Sequence, residues 1–149
     1  LSLQVNVHLN CFYRLSLMHS RYHSLFRSQI FAWRIFSGFY KKDSTISTFE
    51  TEKFSLGGSN SLRGYQEFAM YGNYRFSFNL EDRFIIDKGL LFVLFYDGGF
   101  INDSMDALFN QYYQGVGFGF RWLSTFMPIR LDFAYGDDFM IHLSLSQTF

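Results

Sequence analysis

The chain has 149 residues, with 13 basic and 13 acidic side chains, and 22% of its residues are aromatic, including 21 phenylalanines. This length fits one domain, and the balanced charge argues against a nucleic-acid partner, because neutralising phosphates requires a basic excess. The single cysteine excludes an internal disulfide framework and a cysteine-rich metal site. No run of about 18 apolar residues is present, which excludes a transmembrane helix. The aromatic content therefore favours alternating strands that reach a bilayer.

Length also bounds the number of strands. Membrane strands of about ten residues, joined by connections of about eight, give about eight strands in a chain of this size. That number fits either a complete small barrel or half of a large one. The sequence starts without an initiator methionine or a signal peptide, so we expect a mature product or a fragment.

The first part of the chain predicts strands of unequal clarity. Residues 1–10 alternate between apolar and uncharged polar side chains, which is typical of a strand with one face toward a wet lumen. Residues 11–24 are less regular. Residues 25–40 predict a further strand, because Phe31, Trp33 and Ile35 share one parity.

The alternation stops between residues 41 and 72, in a segment rich in Lys, Ser, Thr and Gly. A hairpin loop takes only about 2 to 5 residues, and longer segments without regular structure are usually functional or disordered. Phe54 and Leu56 predict that this loop is anchored to the rest of the fold.

The alternation is clear again after the loop. It predicts strands over residues 74–81, 90–100, 115–122, 129–136 and 141–146. Their polar face carries Ser, Asn, Gly and a few opposed charges, whereas a soluble sandwich would expose many Lys, Glu and Thr. We therefore predict an all-β fold, an antiparallel transmembrane β-barrel with about seven to eight strands.

Several motifs carry a resemblance to a known family. The segment FSLGGSNSLRGY at residues 54–65 resembles the lumen-loop signature of the BamA/TamA superfamily of outer-membrane barrels, also called the bacterial surface antigen family. The motifs that follow keep the family's order: NLE at 79–81, FYDGG at 95–99, GVGFGFRW at 115–122 and MPIRLD at 127–132. The resemblance implies that residues 1–149 are the C-terminal half of a barrel of about 16 strands.

The resemblance also implies a site, in which the loop folds back into the lumen. The loop motif comprises Gly57, Gly58, Leu62, Arg63, Gly64 and Tyr65. The implied partners of Arg63 on the lumen wall are Glu81, Phe95, Asp97 and Gly99. The C-terminal strand signal comprises Ile141, Leu143, Leu145 and Phe149.

Physical arguments agree with this placement. A guanidinium can fork onto a carboxylate while lying over an aromatic ring, as Arg63 would on Asp97 and Phe95. Asp97, placed by the pattern near the end of its strand, should avoid lipid, where a charge costs about 2–4 kcal/mol at mid-depth. The loop glycines would supply positive φ, and the wall glycines at 115, 117 and 119 would clear space for the loop.

The function implied by the resemblance is the barrel domain of an assembly factor that inserts β-barrel proteins into the outer membrane of a Gram-negative type of cell. Residues 139–149 would form one side of a weakly paired seam, to which a client strand adds by β-augmentation. The implied partners are the lipid bilayer, client outer-membrane proteins or a secreted polypeptide, and the missing N-terminal strands and periplasmic modules.

Other roles stay open at this point. The same superfamily includes polypeptide-secretion pores and the membrane anchors of patatin-like phospholipases. A self-contained eight-strand barrel belongs to a different class, and its filled interior would leave no room for a docked loop of about thirty residues. The client, and whether the membrane is bacterial or organellar, also stay open.

Candidate catalytic and metal-binding residues are few. His19 and His23 are spaced as ligands on a helix would be, but the segment has no helical pattern and no third ligand. Asp137 and Asp138 follow a glycine and indicate a solvated turn. No Gly-x-Ser-x-Gly motif is present. We expect no enzyme activity, no metal and no cofactor.

Overall fold

The computed structural model describes residues 2–8, 12–42, 52–123 and 127–145. Within these ranges the structure consists mainly of strands and their connections, and a short 3-10 helix lies at Leu108–Asn110. The strands within the described residues are β1 (Ser2–His8), β2 (Phe12–Phe26), β3 (Gln29–Lys42), β4 (Phe54–Leu56), β5 (Met70–Gly72), β6 (Tyr74–Asp87), β7 (Leu90–Asn102), β8 (Tyr113–Leu123), β9 (Pro128–Tyr135) and β10 (Phe139–Ser144).

Eight of these strands form one sheet in the order β1-β2-β3-β6-β7-β8-β9-β10, and β4 pairs with β5 in a separate two-stranded sheet. All the pairings are antiparallel. The predicted fold class is therefore confirmed. In the described residues β1 pairs only with β2 and β10 only with β9, so the sheet is open at both edges, as part of a barrel would be.

Residues 11–24, for which the less regular sequence gave no prediction, belong mostly to β2. This strand pairs with β3 from Phe12 to Phe26. Its outward parity begins with apolar residues such as Tyr13 and Leu15 but continues with Arg21 and His23, so the alternation fades while the pairing continues. The strand predicted over residues 25–40 begins only at Gln29, after the turn that ends β2.

The boundaries of the two following strands also need correction. β6 continues to Asp87 and β7 runs from Leu90 to Asn102, so only residues 88–89 connect the two strands. Glu81 and Asp97 therefore lie within their strands rather than at strand ends. This position places their side chains deep on the inner wall, where the loop can reach them.

The sheet has two contrasting faces. Large apolar side chains stay exposed along the outward parity of β8, where Phe118 is 43% and Trp122 is 60% exposed. The inner face carries buried polar groups, several of them charged: Arg34, Ser77, Asn79, Glu81, Asp97, Arg121, Arg130 and Asp132. In the part of the chain that the structure describes, no helix is long and apolar enough to cross a membrane.

The loop between β3 and β6 lies against this inner face. Phe54 and Leu56 in β4 are buried, as the sequence predicted for the loop's anchors. Leu56 and Leu62 form an apolar cluster with Ile101 of β7. A β-bridge between Gly58 and Leu62 closes a tight hairpin beyond β4. Residues 43–51 of the predicted loop lie outside the described residues.

The apolar outer face leads to a first prediction. Replacing Phe118, at the middle of β8, by arginine should cost about 2–4 kcal/mol of folding free energy in a bilayer, because a guanidinium at mid-depth is poorly solvated. The same replacement of Trp122, near the end of β8, should cost only about 0–1 kcal/mol. Urea unfolding of the full-length protein in lipid vesicles measures both values, and equal losses would contradict a lipid-facing position for Phe118.

Candidate functional site

Arg63 lies at the centre of the candidate site, on the loop. Its Nε donates to Asp97 Oδ2 at 2.6 Å and its Nη2 donates to Asp97 Oδ1 at 2.7 Å. The backbone N–H of Arg63 donates to the same carboxylate at 3.1 Å. Its Nη1 donates to Glu81 Oε1 at 2.8 Å. Two neighbouring strands thus hold one loop guanidinium by a forked and a single charge-assisted hydrogen bond.

The aromatic ring of Phe95 packs against one face of the Arg63 guanidinium. The Arg63 Cζ lies 3.5 Å from the centroid of the Phe95 ring. Glu81 pairs with Phe95 across β6 and β7, and Asn79 pairs with Asp97 one step along, which brings all four side chains to the same face. The face of an aromatic ring attracts a cation, and guanidinium stacks on it well.

Burial makes these ion pairs energetically important. Arg63, Glu81 and Asp97 are each at most 1% exposed. Burial alone would lower the pKa of Arg63, but Asp97, Glu81 and Asp132 together raise it well above its ordinary value. The guanidinium therefore stays charged, and the loop is held by a charge that depends on its carboxylate partners.

The sequence reasoning missed three further members of this group. Asp132 on β9 accepts from Arg63 Nη1 at 3.3 Å, from Arg130 Nε at 2.6 Å and from Arg121 Nη1. Arg121 Nη2 also lies 3.4 Å from Glu81 Oε1. We call these six residues the lumen charge cluster: Arg63, Glu81, Asp97, Arg121, Arg130 and Asp132.

A sequence signal for the missed residues did exist. Arg121, Arg130 and Asp132 all have the inward parity of their strands, opposite to the apolar side chains. Parity shows which side chains share a face, but it does not show which charges on neighbouring strands meet. That depends on the register of β8 with β9, in which Gly119 pairs with Asp132 and Arg121 with Arg130.

Two strands that lie far apart in the sheet hold the tip of the loop hairpin. Arg34 on β3 donates from Nη2 to the Asn60 carbonyl at 2.5 Å. Arg130 on β9 donates from Nη2 to the Ser59 carbonyl at 2.9 Å. The loop thus bridges strands that are not neighbours in the sheet.

The glycines of the loop motif occupy conformations that side chains rarely adopt. Gly57, Gly58 and Gly64 have φ values of 120°, 96° and 87°. The Gly64 carbonyl accepts from Asp137 N at 3.0 Å, and a Cβ on Gly64 would lie 2.5 Å from Gly136 N. The predicted turn after β9 is therefore a docking point for the loop backbone.

The wall glycines differ from the expectation that all three clear space for the loop. Only Gly115 faces the loop backbone, since a Cβ there would overlap the Arg63 carbonyl oxygen. A Cβ on Gly117 would overlap the Phe133 carbonyl oxygen of β9 and the Phe95 ring, and one on Gly119 would meet the Asp132 carboxylate. These two glycines instead make room for the backbone of β9 and for groups that hold Arg63.

The remaining residues of the predicted site have simpler surroundings. Leu62 is fully buried, and a Cβ on Gly99 would touch the Leu56 side chain at 3.0 Å. Tyr65 makes an edge-to-face contact with Tyr113, with centroids 6.1 Å apart. Burial raises the pKa of the Tyr65 hydroxyl.

The predicted C-terminal signal lies at the edge of the sheet. Ile141 and Leu143 lie in β10, and Leu145 follows it. All three share the outward parity, with exposures of 59%, 70% and 58%. Phe149 lies outside the described residues. In the described part of the chain, no group of three or more His, Cys, Asp or Glu side chains is arranged to hold a metal ion.

These features define a class of protein. An antiparallel sheet with an apolar outer face and a polar inner wall that holds a docked loop is part of an outer-membrane type of β-barrel. The model of the Omp85 superfamily domain matches residues 2–149, and the chain belongs to the Omp85 superfamily. The resemblance found in the sequence motifs is thereby confirmed.

A solved structure gives the same fold. The chain is similar to the crystal structure of BamA from Haemophilus ducreyi lacking POTRA domains 1–3, with a TM-score of 0.73 and 16% sequence identity. The match covers 91% of this chain and 34% of that chain, so the present chain spans about a third of that structure. Among curated proteins, none matches.

Proposed function

We propose that the chain is the C-terminal part of a barrel that inserts other β-barrel proteins into the outer membrane of a Gram-negative type of cell. The observation that carries the proposal is the edge strand β10, which in the described residues pairs only with β9. Within the described residues, its ladder with β9 runs from Phe139 to Ser144. An edge strand is a template onto which another strand can add.

The docked loop supports this role by stabilising the wall beside that edge. The lumen charge cluster reaches from β6 to β9, the neighbour of β10. A wall held by buried ion pairs can stay folded while the hydrogen bonds at its edge exchange. No catalytic group is needed for strand addition, because the new ladder of hydrogen bonds supplies the stabilisation.

Crosslinking in the native host tests this function. A photoreactive amino acid replaces Leu143 on β10 of the full-length protein, and a matched variant carries it at Tyr22, whose side chain lies on the inner face of β2 and is 50% exposed. Insertion predicts crosslinks from Leu143 to newly made outer-membrane proteins. Products at Tyr22 alone, formed with a soluble secreted polypeptide, would contradict insertion.

The second candidate, a secretion pore, has one specific observation in its favour. Met18 and Tyr22 face inward from β2, yet they remain 39% and 50% exposed. The described part of the loop therefore leaves these two side chains partly exposed on the inner wall. The same two crosslinking positions decide between the two candidates.

A further inference from the structure

A cavity lies between the described part of the loop and the inner wall of β2, β3 and β6. Its volume is about 290 Å³. The residues that line it include Met18, Arg34, Phe36, Glu67 and Arg75. Met18 and Phe36 pair across β2 and β3 on the inner face. The lumen charge cluster occupies the other side of the loop and contributes no side chain to this lining.

Arg75 is the unusual member of this lining. Its Nη1 donates to the Ser55 carbonyl at 2.7 Å, and its Nη2 donates to Ser77 Oγ at 3.0 Å. Its Cζ lies 4.4 Å from the centroid of the Phe36 ring. Its Nε is buried and has no hydrogen-bond acceptor within the described residues. Burying such a donor without an acceptor is unfavourable, and more so where the group is charged.

Among the described residues, no carboxylate forms an ion pair with Arg75. The positive charges of Arg34 and Arg14 act on it instead. Glu67 is the one carboxylate among the described lining residues, and its Oε1 accepts from the backbone N and the hydroxyl of Ser59 at 2.8 and 2.9 Å. By contrast, Arg63 on the other side of the loop forms ion pairs with Glu81, Asp97 and Asp132.

We propose that this cavity binds a carboxylate, presented by an acidic side chain of a polypeptide in the lumen. A carboxylate can take the Nε–Nη2 edge of Arg75 as a fork, in the way Asp97 takes the corresponding edge of Arg63. The guanidinium would turn that edge toward the cavity and exchange its neutral bond to Ser77 for two charge-assisted bonds. Carboxylate binding in this cavity is separate from the proposed function, because it does not require that the protein insert other barrels.

Peptide binding to the purified full-length protein in uncharged detergent tests the site. The probe is a fluorescein-labelled peptide with a central run of glutamates, and the matched probe has glutamines in their place. The glutamate peptide should bind more tightly, and Arg75→Gln should weaken it about tenfold or more, because hydrogen bonds to charged groups contribute about 1.5–3 kcal/mol. Arg27→Gln, at an exposed position in the turn after β2, serves as the control and should bind like the parent protein.

A second pair of variants keeps the test decisive if Arg75→Gln fails to fold. Met18→Glu adds a carboxylate at the cavity wall and should compete with the peptide, whereas Met18→Gln should not. Acetate should displace the peptide at lower concentration than inorganic phosphate does. Equal binding of the two peptides, equal effects of the two Met18 variants, or preferential displacement by phosphate would each overturn the proposal.

Discussion

Replacing Arg63 by glutamine should destabilise the folded barrel by about 3–5 kcal/mol, the cost of removing one partner from a buried ion pair. The change removes the cation that forks onto the buried Asp97 carboxylate, whereas Glu81 keeps its ion pairs with Arg83 and Arg121. The free energy of unfolding of the full-length protein in urea measures the loss. Heat-dependent mobility in electrophoresis shows independently whether the barrel still folds.

Lys53→Gln is the matched control for this change, because it also removes a cation from the loop. Lys53 Nζ lies 3.2 Å from Asp103, whose side chain is 59% exposed. Exposed ion pairs contribute about 0–1 kcal/mol, since water and salt screen both charges. If Arg63→Gln costs no more than Lys53→Gln, the lumen charge cluster does not hold the loop.

Replacing Gly115 by alanine should displace the loop without removing any charge. The new Cβ would overlap the Arg63 carbonyl oxygen, and both of these are attached to backbone, which cannot move away easily. Overpacking of this kind costs about 1–3 kcal/mol and occasionally more. Maleimide labelling of Ser61→Cys, in a background with Cys11→Ser, reports loop release, because Ser61 is only 8% exposed in the docked loop.

Gly98→Ala tests whether the effect is specific to the loop. Gly98 lies within β7, the strand next to that of Gly115, but its Cβ would meet the ends of the Phe78 and Tyr112 side chains, which can move. We expect labelling of Ser61→Cys to be faster in Gly115→Ala and unchanged in Gly98→Ala. Equal labelling rates in both variants would show that Gly115 makes no special contact with the loop.

Much of the fold could be predicted because one face of each strand is large and apolar. The alternation in β8, from Val116 to Trp122, gives the strand and its outward parity directly. The same argument failed in β2, where Arg21 and His23 occupy the parity that apolar residues hold earlier in the strand. Pairing with β3 keeps that strand extended without an apolar signal.

The candidate site divides in a similar way. The family resemblance implied that Arg63 meets Glu81, Phe95 and Asp97, and these side chains lie together in the structure. That they carry a function stays a prediction. Asp132 was missed because its contact with Arg63 joins positions 69 residues apart and depends on the register of several strands. The spacing of residues within one motif does not show that two side chains so far apart in the sequence are in contact.

The central claim is that the loop is held in the lumen by Arg63 against Asp97, and charge reversal tests it most directly. The free energy of unfolding is measured for Arg63→Asp, Asp97→Arg and the double variant of the full-length protein. The double variant should be more stable than the worse single variant by at least about 1 kcal/mol, the coupling expected of contacting residues. Recovery should stay partial, because Glu81 and Asp132 would then face a negative charge from the loop. A double variant no more stable than the worse single variant would contradict the pairing.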